Sequence, residues 1–329
     1  MILEKDVLFF HEPSSREDIP HWAETNAWTF YIPEEGIMGI VYTLFRKPHG
    51  IVLTNVCIVK GFCYHPYEAL HNDFYAHLPI PEGIELGKYS LANGLSVEVT
   101  KPPMNYQVDY VARDGTELHF TYEGLGLPYD IQDPKMDPIT AKSSSEDHAK
   151  HQGFGTAYNG HFDHSGHLLG KLKLRGKTYS IDVVSTMDHS WGPRPESRSG
   201  SMAWGNIHFG RDLAIHSIFT IDPRAGEVYG PLAHGYVMEN GECYGLVDGK
   251  GRVTKRDGFY TRGVEVEVKD IRGKTFCYTG QAMATYPWYY LPNVCGFHSM
   301  LEYEMDGRKA YGGVMDFLHM EYLVQGQPL

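Results

Sequence analysis

Alternation with a period of two, broken at regular intervals by Gly- and Pro-bearing turns, constrains this chain more than any other feature. Met38, Ile40, Tyr42 and Leu44 alternate, and Lys47-Pro48-His49-Gly50 turns the chain into Ile51-Val52-Leu53. Leu95, Val97 and Val99 alternate up to Lys101-Pro102-Pro103; Tyr106, Val108 and Tyr110 pass through Asp114-Gly115 to Leu118, Phe120 and Tyr122. The same grammar recurs around Arg175-Gly176, Arg272-Gly273 and Asp306-Gly307. Side chains on a strand point alternately to its two faces, so each run reads as a half-buried strand, and X-Gly between two runs reads as a hairpin. Helical periodicity is scarce; the segment from Pro66 to His77 is the one expected to hold a short helix or turn. Antiparallel meanders closed into barrels or sandwiches follow, not a parallel α/β sheet.

With 329 residues the chain is long enough for two such modules. The segment from Asp130 to His151 is rich in Asp, Pro, Ser and Lys and reads as a long loop inside the first module, because the hairpin from Leu168 to Thr186 follows it and needs partners. The boundary is therefore expected near residue 190, giving modules 1–190 and 191–329.

The 41 acidic residues outnumber 29 basic ones, and no basic stripe stands out, which argues against nucleic acid and anionic membranes as partners. Charge interrupts the N-terminus at Glu4-Lys5-Asp6, and no apolar run approaches a membrane span. The five cysteines are scattered and lack C-x-x-C pairs, so reduced thiols in a cytoplasm are expected. The 23 Tyr, 15 Phe and 5 Trp suit strands, and also the wall of a pocket for an apolar small molecule.

The densest chemistry lies in Thr186-Met187-Asp188-His189-Ser190-Trp191-Gly192-Pro193-Arg194. On an extended chain Asp188 and Ser190 face one way, His189 and Trp191 the other. A carboxyl beside an apolar wall has a raised pKa and can donate a proton, while a neighbouring His can accept one. The same residues could instead form a buried Asp–Arg pair locking a domain junction. On the following strand pair, Trp204, His208 and His216 could face a cavity or fill a core. His148, His151, His161, His164 and His167 recur at spacings that do not keep one strand face, and no Glu accompanies them as in H-E-x-x-H, so no metal is expected. Phosphate-loop, dinucleotide and nucleophile-elbow motifs are absent from the sequence, and no cofactor is expected.

From His164 to Phe219 the sequence resembles the AttH-like and carotenoid 1,2-hydratase superfamily. The resemblance is carried by the pair Gly170-Lys171-Leu172-Lys173-Leu174 and Tyr179-Ser180-Ile181, by Met187-Asp188-His189-Ser190-Trp191-Gly192, and by Trp204 through Leu213. Trp28-Thr29-Phe30 and the hairpin from Gly36 to Leu53 are similar to the family's opening strands. The resemblance implies two lipocalin-like β domains with the signature near their junction. It also implies cofactor-free hydration, cyclisation or rearrangement of hydrophobic polyenes and isoprenoids. Asp188 and His189 are the catalytic candidates, with Trp191, Arg194, Trp204, His208, His216, Trp28 and Tyr64 as substrate-binding candidates. The resulting expectation is an acid–base lyase or isomerase acting on an apolar terpenoid, steroid-like or aromatic molecule, with a non-catalytic carrier of a lipid-like ligand as the alternative and a homodimer as a possible assembly.

Overall fold

The computed structural model describes residues 1–142, 159–194, 200–222, 226–289 and 294–325. The fold is all-β, in two parts. The first part contains β1 (Trp22–Ile32), β2 (Ile37–Arg46), β3 (Ile51–Lys60), β4 (His71–Pro79), β5 (Lys88–Ser90) and β6 (Leu95–Lys101). It continues through β7 (Asn105–Val111), β8 (Glu117–Gly124), β9 (Tyr129–Asp130), β10 (Gly160–Leu174) and β11 (Lys177–Pro193). These form one curled antiparallel sheet in the order β4-β3-β2-β1-β11-β10-β8-β7-β6-β5, with β9 added beside β10.

The second part is a closed barrel of eight strands in sequence order. They are β12 (Met202–His208), β13 (Leu213–Thr220), β14 (Leu232–Glu239), β15 (Glu242–Asp257), β16 (Tyr260–Asp270), β17 (Thr275–Trp288), β18 (Val294–Met305) and β19 (Arg308–His319). Short helices α1 (Lys5–Leu8) and α2 (Met320–Gln325) lie toward the ends of the chain.

Turn chemistry sets the hairpins. At Arg175-Gly176, Asn240-Gly241 and Asp306-Gly307 both residues take positive φ, between 50° and 86°. That is the two-residue turn whose twist matches the flanking strands. The segment expected to hold a short helix or turn has one 3-10 turn, Pro66–Glu68, and its remainder is edge strand β4. Its alternation is hard to see because β4 is exposed over most of its length and carries no consistent apolar face.

Central strands bury both faces. On β1, ten of eleven residues are buried. One face, including Trp28 and Phe30, packs into the concave core of the first sheet. The other meets the outer wall of the barrel through a separate core that holds Tyr31, Ile40 and Tyr42 on one side and Trp204, Trp288 and Met315 on the other. The barrel interior is a third core, built on Ile207, Phe219, Val266 and Tyr303. It is almost solid, with a residual void of about 20 Å³.

The first sheet ends at Pro193 and the barrel begins at Met202. Of the 130–151 loop, β9 and a 3-10 turn at Thr140–Lys142 are described. His148 and His151 lie outside the described residues. No helix among the described residues is long and apolar enough to cross a membrane.

Candidate active site at the domain junction

Three neighbouring strands, β1, β11 and β10, supply the junction face in rows. Thr25, Ser190 and His161 form one row, and Ala27, Asp188 and Asp163 the next. Residues directly opposite on antiparallel strands project to the same side, roughly 5 Å apart at Cβ. Two carboxylates therefore stand side by side, facing the barrel.

Their environments pull them apart. Asp163 is fully buried, and its Oδ2 lies 3.0 Å from His161 Nε2, 3.1 Å from His216 Nε2 and 3.9 Å from His234 Nε2. Its Oδ1 accepts a hydrogen bond from Trp204 Nε1 at 3.0 Å. Burial would raise its pKa, but the His216 and His161 imidazoles outweigh that and hold Asp163 well below the usual carboxylate range. Burial would likewise depress His161, yet Asp163 holds it above the ordinary histidine value.

Asp188 has no such partner. Its Oδ1 is buried without a hydrogen bond among the described residues. Burial pushes its pKa up to about 6, with Asp163 adding to the rise while His161 and Arg194 oppose it. The site thus pairs a fixed anion with a carboxyl poised to give up a proton near neutrality.

Asp188 borders a cavity of about 50 Å³ between the two parts. Thr25, Thr29, His161, Ser190 and Arg194 line its polar side; Ile40, Met202, Trp204, Trp288, Met315 and Phe317 line the rest. That volume holds a few water molecules. Admitting a larger molecule requires side-chain movement, for which Met202 and Met315 are suited by their flexible thioethers.

Polar pairs tie the parts together around it. Thr186 Oγ1 lies 2.9 Å from His208 Nε2, Ser165 Oγ lies 2.8 Å from Tyr236 Oη, and Trp288 Nε1 donates to Asn55 Oδ1 at 2.9 Å. Burial holds His208 down at about 3, so it remains neutral.

The sequence candidates separate by face. Asp188, Arg194 and Trp204 line the cavity, and His216 stands behind it against Asp163. His189 and Trp191 lie on the opposite face of β11. His189 Nδ1 donates to the Thr25 carbonyl at 2.8 Å, its Nε2 is 3.4 Å from Glu24, and Trp191 stacks on His11 with ring centroids 3.8 Å apart. Gly160 is required there, since a Cβ would lie 2.0 Å from the Trp191 ring. The parity of the strand thus turns His189 and Trp191 away from the face that Asp188 shares with the cavity. Trp28 belongs to the concave core of the first sheet. Tyr64 lies apart from the cavity lining and donates to Asp257 at 2.6 Å. His208 bonds across the junction without lining the cavity.

His161, His164 and His167 are all on β10. His164 turns to the other face and bonds the Gly126 carbonyl, and His167 pairs with Asp182. Asp163 went unrecognised in the sequence. The signal was its spacing of two from His161, which puts an acid and an imidazole on one strand face.

Among the described residues, two sets of three side chains bring potential ligand atoms within 4.8 Å of each other: His161, Asp163 and His234, and His11, Glu24 and His189. In each, the carboxylate is already engaged by imidazole nitrogens, at 3.0 Å from His161 and at 2.7 Å from His11.

Three solved structures share the fold. Kievitone hydratase from Nectria haematococca is 12% identical with a TM-score of 0.53, over 91% of this chain and 89% of that one. The putative AttH of Nitrosomonas europaea is 10% identical with a TM-score of 0.56, over 90% and 91%. CghA, solved with Sch210972, is 11% identical with a TM-score of 0.50, over 95% and 94%. The AttH-like, two-part β architecture expected from the sequence is therefore the one observed. The family model described as "Domain of unknown function (DUF7064)" matches residues 9–321. No curated protein sequence matches the chain.

Proposed function

The chain belongs to the DUF7064 family, and from the geometry of its domain junction we propose that it is a small-molecule enzyme, an acid–base lyase or isomerase of the hydratase or cyclase kind. One observation carries the reading. A half-buried acid, Asp188, faces an interdomain cavity with one oxygen buried and unpaired among the described residues and a pKa near 6.

In the proposed reaction protonated Asp188 delivers its proton to an unsaturated carbon of a bound molecule. The π faces of Trp204 and Trp288 hold the apolar body and stabilise positive charge as it develops. Asp188, now a carboxylate, recovers a proton from an adding water, which completes a hydration, or from the neighbouring carbon, which completes an isomerisation. The Asp163–His161 pair supplies a fixed charge distribution that needs no rearrangement during transfer. All of these steps draw on side chains. Two fold neighbours, a hydratase and a protein solved with Sch210972, support a small-molecule role. A cytoplasmic setting fits the five free cysteines.

The carrier alternative has less room. Lipocalin-type carriage uses the barrel lumen, and here about 20 Å³ is left. The test is to incubate purified protein with small-molecule extracts and follow products of unchanged mass or gained water by mass spectrometry. Asp188→Asn keeps the shape and removes the acid, and should abolish the conversion. Wild-type turnover by that variant would end this reading; retention of a ligand by both forms with no conversion would favour the carrier.

A further inference from the structure

Beside Asp188 the cavity wall carries a second group of side chains that the proton-transfer scheme does not use. Thr25 and Ser190 are cross-strand partners with their hydroxyl oxygens 2.8 Å apart. Arg194 Nη2 donates to both, to Thr25 Oγ1 at 3.3 Å and to Ser190 Oγ at closer range. All three line the cavity.

Within this trio each hydroxyl oxygen already accepts from the guanidinium, and one hydroxyl donates to the other. The hydrogen of the remaining hydroxyl has no acceptor inside the trio. A hydroxyl that accepts from a guanidinium is polarised into a stronger donor. What this end of the cavity asks for is therefore an oxygen that accepts a hydrogen bond.

Its distance from the acid is set by the strand. Ser190 and Asp188 are two residues apart on one face of β11, roughly 7 Å. Between the seat and the acid, the place opposite Asp188 on β1 is taken by Ala27, the smallest side chain of the cavity lining, so a ring admitted by side-chain movement meets least obstruction there.

Building on the proposed function, we infer that Thr25, Ser190 and Arg194 form a seat for a substrate oxygen, so the substrate is an oxygenated apolar molecule, a ketone or a phenol, and not a hydrocarbon. Side chains on one strand face project in parallel, so the carbon that Asp188 protonates lies up to roughly 7 Å from that oxygen, about the span of a substituted ring.

Two small probes of nearly equal shape test this. Acetophenone and ethylbenzene differ by a carbonyl in place of a methylene, and their binding is measured by calorimetric titration. Wild-type protein should bind acetophenone about tenfold tighter. Thr25→Val with Ser190→Ala should bring the two probes within about twofold while leaving ethylbenzene unchanged. Ser190→Thr, which keeps a hydroxyl, should retain the preference, as should Asp188→Asn. Ala27→Leu should exclude both probes and so locate them in this cavity. Equal binding of the two probes by wild-type protein, or a preference surviving loss of both hydroxyls, would overturn the oxygen seat and leave the proton-transfer reading standing. Failure of wild-type protein to bind either probe would overturn both.

Discussion

Asp163 and Asp188 stand opposite one another on β10 and β11, and the protein holds the first as an anion while it raises the pKa of the second to about 6. Three imidazole nitrogens and an indole N–H surround Asp163, whereas Asp188 is left against the cavity. Two like charges on adjacent positions of one face would repel, so fixing the anion at Asp163 helps keep a proton on its neighbour.

The pH dependence follows from that proton. The active form carries protonated Asp188, whose pKa is about 6. Turnover should be flat well below that value and fall as pH rises through it, roughly fiftyfold between pH 6 and 8. A rate that climbs through this window would assign the proton transfer to another group.

Asp188 also weighs on stability. Its folded pKa exceeds the ordinary carboxylate value, so the folded state binds more protons between pH 4 and 6 and stability declines as pH rises across that window. At pH 8 the native protein therefore carries a destabilising charge. Asp188→Asn should raise stability there by up to about 3 kcal/mol, with the gain vanishing toward pH 4. Denaturant unfolding of both forms at the two pH values checks this.

Removing the other carboxylate has the opposite sign. Asp163→Asn leaves buried imidazoles without their counter-charge and should cost about 3–5 kcal/mol in unfolding experiments near neutral pH. In the native protein the Asp163 contribution is present above the unfolded pKa and is lost as pH falls through the depressed folded value. The His161 contribution is present below pH 6.5 and is lost as pH rises through its elevated one.

Strand parity separates the two tryptophans closest to the signature. Trp204→Phe loses the hydrogen bond to Asp163, should destabilise by about 1.5–3 kcal/mol, and should lower turnover at least tenfold because the ring lines the cavity. Trp191→Phe, on the far face against His11, should leave turnover within about twofold. Equal loss from both would mean that the two faces of β11 communicate in catalysis.

Much of this was legible beforehand, and the limits are physical. Hairpins announced themselves because two-residue turns with positive φ demand residues such as Asp-Gly. The parity of β11 was readable from Asp188 and His189 alone, yet it cannot show which face meets the barrel when both are buried. The pairing of Asp188 with Asp163 depends on the register between β11 and β10, which no local pattern encodes where both faces of the strands are largely buried. Edge strand β4 was missed for the converse reason: exposure on both faces erases the alternation by which strands are recognised.

The junction core implies that the barrel is not an independent unit. Its outer wall presents Trp204, Trp288, Met315 and Phe317 to the first sheet, together with His208, His216 and Tyr236, whose polar atoms find partners on that sheet. Released alone, the barrel would expose a contiguous apolar patch dotted with polar groups evolved to bond protein and not water. Residues 200–329 expressed by themselves should therefore aggregate, or bind a hydrophobic dye and unfold without a cooperative transition, while the full chain melts in one step. A soluble fragment with a sharp transition of its own would show that the barrel core suffices, and that the cavity forms by docking two finished parts.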